Sequence, residues 1–260
     1  MIFPPLYCNA FLNTEMLVAH ENKAHKRNKQ LLIYFKPLIN LIFPFVCCHC
    51  KRELLCDERY ICWCCEEEIG ATFFAVQQAP TTLDKLFWGR VNIQNTHALF
   101  YFQKGKVSQT ILHEIKYGFK GNLGVVMGQK MASAIIDNYA VKTIDALIPV
   151  PTHHRKKFNR GYNQSEKIAL GISAVTKIPI DTSFIRKIKN TTSQTKKSKT
   201  ERLINVEGGF ESTTSYKKYK HIAIVDDVIT TGATLEVLIK EIRKSNPNIE
   251  ISIFVLAMAL

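Results

Sequence analysis

The segment His221-Ile-Ala-Ile-Val-Asp-Asp-Val-Ile-Thr-Thr-Gly-Ala-Thr-Leu235 limits what this chain can fold into more than any other. Four apolar residues, Ile222 to Val225, run into Asp226 and Asp227. Thr230, Thr231, Gly232, Ala233 and Thr234 follow as a hydroxyl-rich turn, and Leu235, Leu238, Ile239 and Ile242 then recur at helical spacing. A buried strand, a glycine turn and an amphipathic helix in that order belong to an α/β layer structure. The turn's backbone N–H groups point outward, with the positive end of the helix dipole behind them. Gly232 permits close approach of a ligand to the backbone, and the threonine hydroxyls add donors. That arrangement suits a phosphate. The two acids one step upstream stand where the vicinal hydroxyls of a sugar would lie. The simpler reading, a threonine-capped strand–turn–helix, leaves the paired acids unexplained. Gly-x4-Gly-Lys-Ser/Thr and Gly-x-Gly-x-x-Gly are both absent, so a nucleoside-triphosphate loop and a dinucleotide loop do not fit.

Seven of the eight cysteines fall between Cys47 and Cys65. Cys47-x2-Cys50 and Cys62-x2-Cys65 are two knuckles whose spacing lets both thiolates of each reach one metal, which suits a tetrahedral four-cysteine zinc site. Cys48, His49, Cys56 and Cys64 remain as alternative ligands, and disulfides, redox chemistry or an iron–sulfur centre are the competing uses. Residues 1–30 have no signal-peptide core, and their basic residues come late, which argues against secretion and its disulfides. A structural role for the metal is expected, because so short a segment buries little.

The 260 residues suffice for one α/β core and a small accessory module. The most apolar run, 31–46, carries Lys36, Pro37, Asn40 and Pro44 and is too short to span a bilayer. Its periodicity predicts an amphipathic helix or kinked pair beside the knuckles. The expected organisation is a poorly ordered leader at 1–29, a helix and zinc-finger module at 30–70, and an α/β domain at 71–260. The net charge of +13 is uneven. From Pro151 to Arg202 thirteen Lys and Arg face three acids, a surplus that can be a solvated face. Next to a phosphate turn, a surface for polyanions is the better reading.

Strands are expected at 98–102, 144–150 and 249–258, and helices at 107–117, 123–139 and 165–176, alternating as in a parallel sheet covered on both faces. Ligands of such sheets bind beyond the carboxyl ends of the strands. Pro149-Val-Pro-Thr-His-His-Arg-Lys-Lys-Phe-Asn-Arg-Gly-Tyr-Asn-Gln164 leaves one such end as a loop. Arg155, Lys156 and Arg160 in it are placed to hold a pyrophosphate. The polar, basic stretch 186–206, with Gln194 and Arg202, reads as a mobile lid.

The segment around Asp226 resembles the phosphoribosyl pyrophosphate (PRPP) signature of type I phosphoribosyltransferases. That resemblance implies a Rossmann-like parallel sheet, Asp226 and Asp227 on the ribose hydroxyls, residues 230–234 around the 5′-phosphate, and Mg2+ with the PRPP. The whole set of blocks resembles the ComF family, also described as ComFC- or GntX-like. They are Phe43-Pro44 before the knuckle, Glu114-Ile-Lys-Tyr-Gly118, Pro149-Val-Pro151 with Arg160-Gly-Tyr-Asn-Gln164, Thr191-x-x-Gln194 with Arg202-x-x-Asn205, and 225–234. Tyr162 stands where the family often has Phe, and Lys197 where leucine is frequent.

Family members pair an N-terminal four-cysteine zinc finger with a phosphoribosyltransferase-like domain. They are associated with handling of incoming single-stranded DNA in the cytoplasm during natural competence. The resemblance therefore implies a Mg2+-dependent PRPP-binding phosphoribosyltransferase-like protein of the cytoplasm, with PRPP, single-stranded DNA and other DNA-uptake proteins as partners. No catalytic nucleophile is identifiable. Full glutamine amidophosphoribosyltransferase activity is not expected, since that chemistry uses an N-terminal cysteine and residue 2 is Ile2. The alternative is a nucleic-acid-binding or docking factor whose PRPP pocket is regulatory or vestigial, with Phe158 and Tyr162 stacking unpaired bases.

Overall fold

The computed structural model describes residues 44–72, 80–118, 120–137, 139–188, 209–212 and 219–259. The leader, residues 31–43 of the run 31–46 expected to hold a helix or kinked pair, and Gln194 and Arg202 of the expected lid lie outside the described residues. Two compact units divide between Glu66 and Glu67.

In the first unit, antiparallel bridges Val46–Glu53 and Arg59–Ile61 shape the chain around each cysteine knuckle, and the Cys48 N–H donates to the Tyr60 carbonyl at 2.8 Å to join the two segments. Lys51, just after the first knuckle, takes a left-handed φ of 64°. A short helix, α1 (Trp63–Glu67), follows Cys62.

The second unit begins with α2 (Thr82–Lys85), which Thr81 and Asp84 close with a reciprocal capping box. Then come β1 (Asn95–Tyr101), α3 (Val107–Tyr117), α4 (Gly121–Ile135), α5 (Tyr139–Lys142), β2 (Ala146–Pro149), α6 (His154–Arg160) and α7 (Gln164–Thr176). β3 (Ile185–Lys187) and β4 (Phe210–Ser212) form a separate antiparallel pair. β5 (His221–Ile229), α8 (Ala233–Ser245) and β6 (Glu250–Met258) complete the described elements.

The main sheet runs β1-β6-β5-β2 with every pair parallel. Its carboxyl ends therefore share one edge, and the segments after β2 and β5 emerge side by side. Ile222 and Ile224 share a buried cluster with Leu235, Leu238, Ile239 and Ile242 of α8. The helices α4 and α7 pack on the opposite face. They touch through glycines: a Cβ on Gly171 would stand 2.0 Å from the Val125 carbonyl oxygen, and one on Gly128 would stand 2.2 Å from that of Ile168.

The structure departs from the sequence expectations in three places. The helix expected over 123–139 ends at Ile135, and α5 starts afresh after Asp137-Asn138, residues that favour turns. The stretch 149–164 is not a continuous loop, because its Arg- and Lys-rich middle forms α6. Arg186 and Lys187, placed in the expected lid, lie in β3, where pairing with β4 fixes them in a strand.

Candidate functional site

Asp226 and Asp227 lie within β5, which continues past them because β6 is long enough to pair with Asp226, Val228 and Ile229. The Asp226 carboxylate accepts from the Ser165 hydroxyl at 3.0 Å and from the Asp227 N–H at 2.9 Å. Asp227 forms an ion pair with Lys116 at 3.1 Å. Burial, followed by the charge of Asp227, raises the Asp226 carboxyl to about 7; Ser165 and Lys116 oppose this only in part. The end of β5 is therefore short of positive charge.

The turn 230–234 is tied down from outside the motif. Gly232 has φ +72°, and the Phe87 ring stands 3.1 Å from where its Cβ would be, so both conformation and space demand glycine. The Arg90 guanidinium donates to the Thr231 carbonyl and to that of Leu86, each at 2.8 Å. It also donates to Glu236, which takes Lys240 on its other oxygen at 2.7 Å. Burial opposes ionisation of Glu236, but Lys240 and Arg90 hold it below the usual carboxylate range. An acid in the first turn of α8 is thereby neutralised instead of repelling an anion. The first helical bond runs from Glu236 N–H to the Gly232 carbonyl, so the amides before it have no acceptor within the helix.

The segment after β2 works as a bracket. Asn163 caps α7 by accepting from the Ser165 N–H, takes the Thr152 hydroxyl at 2.9 Å, and donates to the Val150 carbonyl at 3.0 Å. This sets Ser165 against Asp226. Tyr162 donates to the Ile115 carbonyl at 2.7 Å and so fixes the end of α3, where Lys116 projects to Asp227. Gln164 is buried, and its Nε2 has no hydrogen-bond partner. The Arg160 guanidinium lies 5.1 Å over the half-exposed Tyr117 ring. Arg155 and Lys156 fall in α6, their side chains outside the described part.

In the sequence Lys116 and Gln164 stand out only as parts of family-like blocks, and no local pattern marks Ser165 or Arg90. Helical spacing with the Glu114-Ile-Lys-Tyr-Gly118 block is a signal for Lys116. Arg90 reaches Glu236 and Thr231 across more than a hundred residues, which no local pattern reveals.

In the first unit the Sγ atoms of Cys47, Cys50, Cys62 and Cys65 all lie within 4.8 Å of one another, with Cys50–Cys62 at 3.6 Å. Tetrahedral zinc–thiolate bonds of ~2.3 Å require sulfur separations of about 3.8 Å, so the four fit one zinc ion. Cys48, His49, Cys56 and Cys64 are not in the cluster. Burial opposes ionisation of Cys47, but the backbone N–H groups of Cys62, Cys50 and His49 prevail and lower its thiol to about 6. Burial pushes the Cys65 thiol up. Glu58, which the sequence did not flag, ties the knuckles together. It accepts from Leu55 N–H at 2.7 Å, Trp63 N–H at 2.8 Å and Arg52 at 3.0 Å.

The phosphoribosyl transferase domain family matches residues 128–259. Competence protein F of Haemophilus influenzae is 25% identical over 233 residues, which are 84% of this chain and 98% of that protein. Competence protein ComFC of Bacillus subtilis is 30% identical over 122 residues, 46% of this chain and 48% of that protein. The DNA utilization protein YhgH of Escherichia coli K12 is 23% identical over 128 residues, 48% of this chain and 56% of that protein. The chain thus belongs to the phosphoribosyl transferase domain family, and it has competence proteins F and ComFC among its homologues.

Proposed function

We propose that this protein binds PRPP with Mg2+ at the carboxyl end of β5 and acts in the cytoplasmic handling of single-stranded DNA during competence. The observation that carries the first part is the convergence of a partly buried acid pair, a glycine turn and a helix start. Asp226 and Asp227 receive the ribose hydroxyls, and residues 230–234 receive the 5′-phosphate on the amides that open α8. Arg155, Lys156 and Arg160 hold the pyrophosphate, and Gln194 and Arg202 close over it. The unpartnered Gln164 amide adds a donor beside Ser165. The raised Asp226 carboxyl argues for a divalent cation, because added positive charge favours its ionised form. Mg2+ held beside Asp226 and Asp227 would supply that charge. Zinc in the cluster of Cys47, Cys50, Cys62 and Cys65 serves the fold of the first unit.

A phosphoribosyl transfer would pass through a cation-like sugar that a fixed carboxylate pair stabilises. The competence role is supported by the names of the relatives, Competence protein F and Competence protein ComFC. A reading as a nucleic-acid-binding or docking factor has its own observation: Phe158 is 88% exposed on α6, and Tyr117 carries Arg160 on its ring. Exposed rings among cations can stack bases while the cations follow the phosphates.

The test is calorimetric titration of PRPP into zinc-loaded protein with and without Mg2+. Magnesium-dependent binding is expected, and the Asp226→Asn/Asp227→Asn double variant should weaken it by at least about a hundredfold. Equal affinity in the folded double variant refutes the assignment. Single-stranded DNA binding that weakens steeply with salt, and is unaffected by that variant, would support the nucleic-acid reading.

A further inference from the structure

Toward the amino ends of β1 and β6, away from the carboxylates, the α/β unit has a cavity of about 720 Å3. Ile135, Val141, Ile144 and Phe254 give it an apolar lining, and His97 and Ser252 are among its polar residues. His97 is 5% exposed, and its Nε2 has no hydrogen-bond partner. Burial holds the imidazole down to about 4, so it is neutral at physiological pH, with one ring nitrogen a donor and the other an acceptor. Leaving such a group unsatisfied is costly, and a ligand with a complementary edge would recover that cost.

The charged residues of the lining are already committed. Asp84 accepts from the Thr96 hydroxyl at 2.7 Å, the Thr81 N–H at 2.6 Å and the Thr81 hydroxyl at 2.8 Å. Arg90 is engaged by Glu236 and two carbonyls. A charged guest would enter without a counter-charge, whereas an uncharged one with flat apolar faces meets Phe254 and Trp88. The volume is in the range of small-molecule sites.

The same wall braces the phosphate turn. Phe87 and Arg90 line the cavity, and they are the residues that pack on Gly232 and hold the Thr231 carbonyl. We propose that this cavity is a second binding site, for an uncharged nucleobase or nucleoside, and that its occupant tightens the grip of the turn on its phosphate. The coupling rests on the PRPP reading given above; the binding itself does not.

Only two tryptophans are present, and Trp88 lines the cavity. In a Trp63→Phe background its fluorescence reports binding directly. Adenosine, guanosine and uridine are titrated, with AMP as the charged control. At least one nucleoside should give a saturable change and bind about tenfold more tightly than its phosphorylated form or, for guanosine and uridine, than AMP. His97→Phe, which keeps a ring and loses the hydrogen bonds, and Val141→Phe, which fills space, should each weaken it about tenfold in folded protein. Asp226→Asn/Asp227→Asn should leave it intact, which separates this cavity from the carboxylate site.

No saturable change at millimolar nucleoside, or undiminished binding by both cavity variants, overturns the site. PRPP affinity is then measured with and without the nucleoside. A rise of about threefold or more is expected for an effect of ordinary allosteric size, and an unchanged affinity overturns the coupling. If PRPP fails to bind in either condition, the PRPP reading falls and the Trp88 titration alone decides the cavity.

Discussion

The two units reach order by different means. Among the described residues of the cysteine unit the buried side chains are Cys47, Cys48, Ile61, Cys62, Cys65 and the carboxylate of Glu58, while Phe45, Leu55 and Trp63 are exposed. In the α/β unit β5 and β6 are buried along most of their length and are flanked by α8 on one face and by α4 and α7 on the other. Apolar burial contributes roughly 1.5–3 kcal/mol per large side chain, so the second unit can stand on its core. Among its described residues the first unit has few such side chains, and its four clustered sulfurs offer a metal clip in their place. A local cluster and a long-range core leave different marks in a sequence, and they should fail under different treatments.

Metal removal should have the largest effect. Structural zinc in small modules is worth on the order of 10 kcal/mol of apparent folding free energy. A chelator or Cys50→Ser should unfold the first unit, read by Trp63 fluorescence, and leave the thermal transition of the α/β unit unchanged. Simultaneous loss of both transitions would break the comparison.

The converse perturbation is Gly171→Val. Its side chain would collide with the Val125 carbonyl, at a cost of about 3–5 kcal/mol. Denaturant unfolding should show the loss, while zinc affinity stays at the parent value.

A smaller effect isolates the strain that the site places on the second unit. The Asp226 carboxyl is raised from 3.8 to about 7, so the fold prefers its protonated form. Stability from this group is full below pH 3.8 and declines as pH rises through about 7. Asp226→Asn keeps an acceptor for the Ser165 hydroxyl and cannot ionise. The variant should therefore be more stable than the parent at pH 8 by roughly 2–4 kcal/mol, and the gap should close below about pH 4. Equal stability at pH 8 would show that the carboxylate is not disfavoured by the fold. The smallest change is Asn163→Ala, which removes the α7 cap and should cost about 1 kcal/mol. Its fall in thermal midpoint should be confined to the α/β transition.

Legibility follows the same division. α3 has the bounds that its apolar spacing predicts, and β5 and α8 follow the order of the Asp226 segment. The four cysteines of the two knuckles are the ones brought together. These features are written in short windows, where periodicity and ligand spacing act directly. The break between α4 and α5 and the helical turn of α6 were missed, because Arg, Lys and polar residues serve helices and loops alike. Arg90, Ser165 and Glu58 were not singled out, because each derives its role from partners that the fold brings near.

The sequence alone determined the α/β alternation, the acid pair with its glycine turn, and the paired knuckles, since local backbone preference and donor spacing act within a few residues. Tertiary structure decided that Ser165 and Lys116 meet the acids, that Arg90 and Phe87 hold the turn, and that His97 is buried with its Nε2 unpartnered. Those outcomes depend on which strands become neighbours. The order β1-β6-β5-β2 places the last strand beside the first, so contacts span most of the chain and burial sets the charge states.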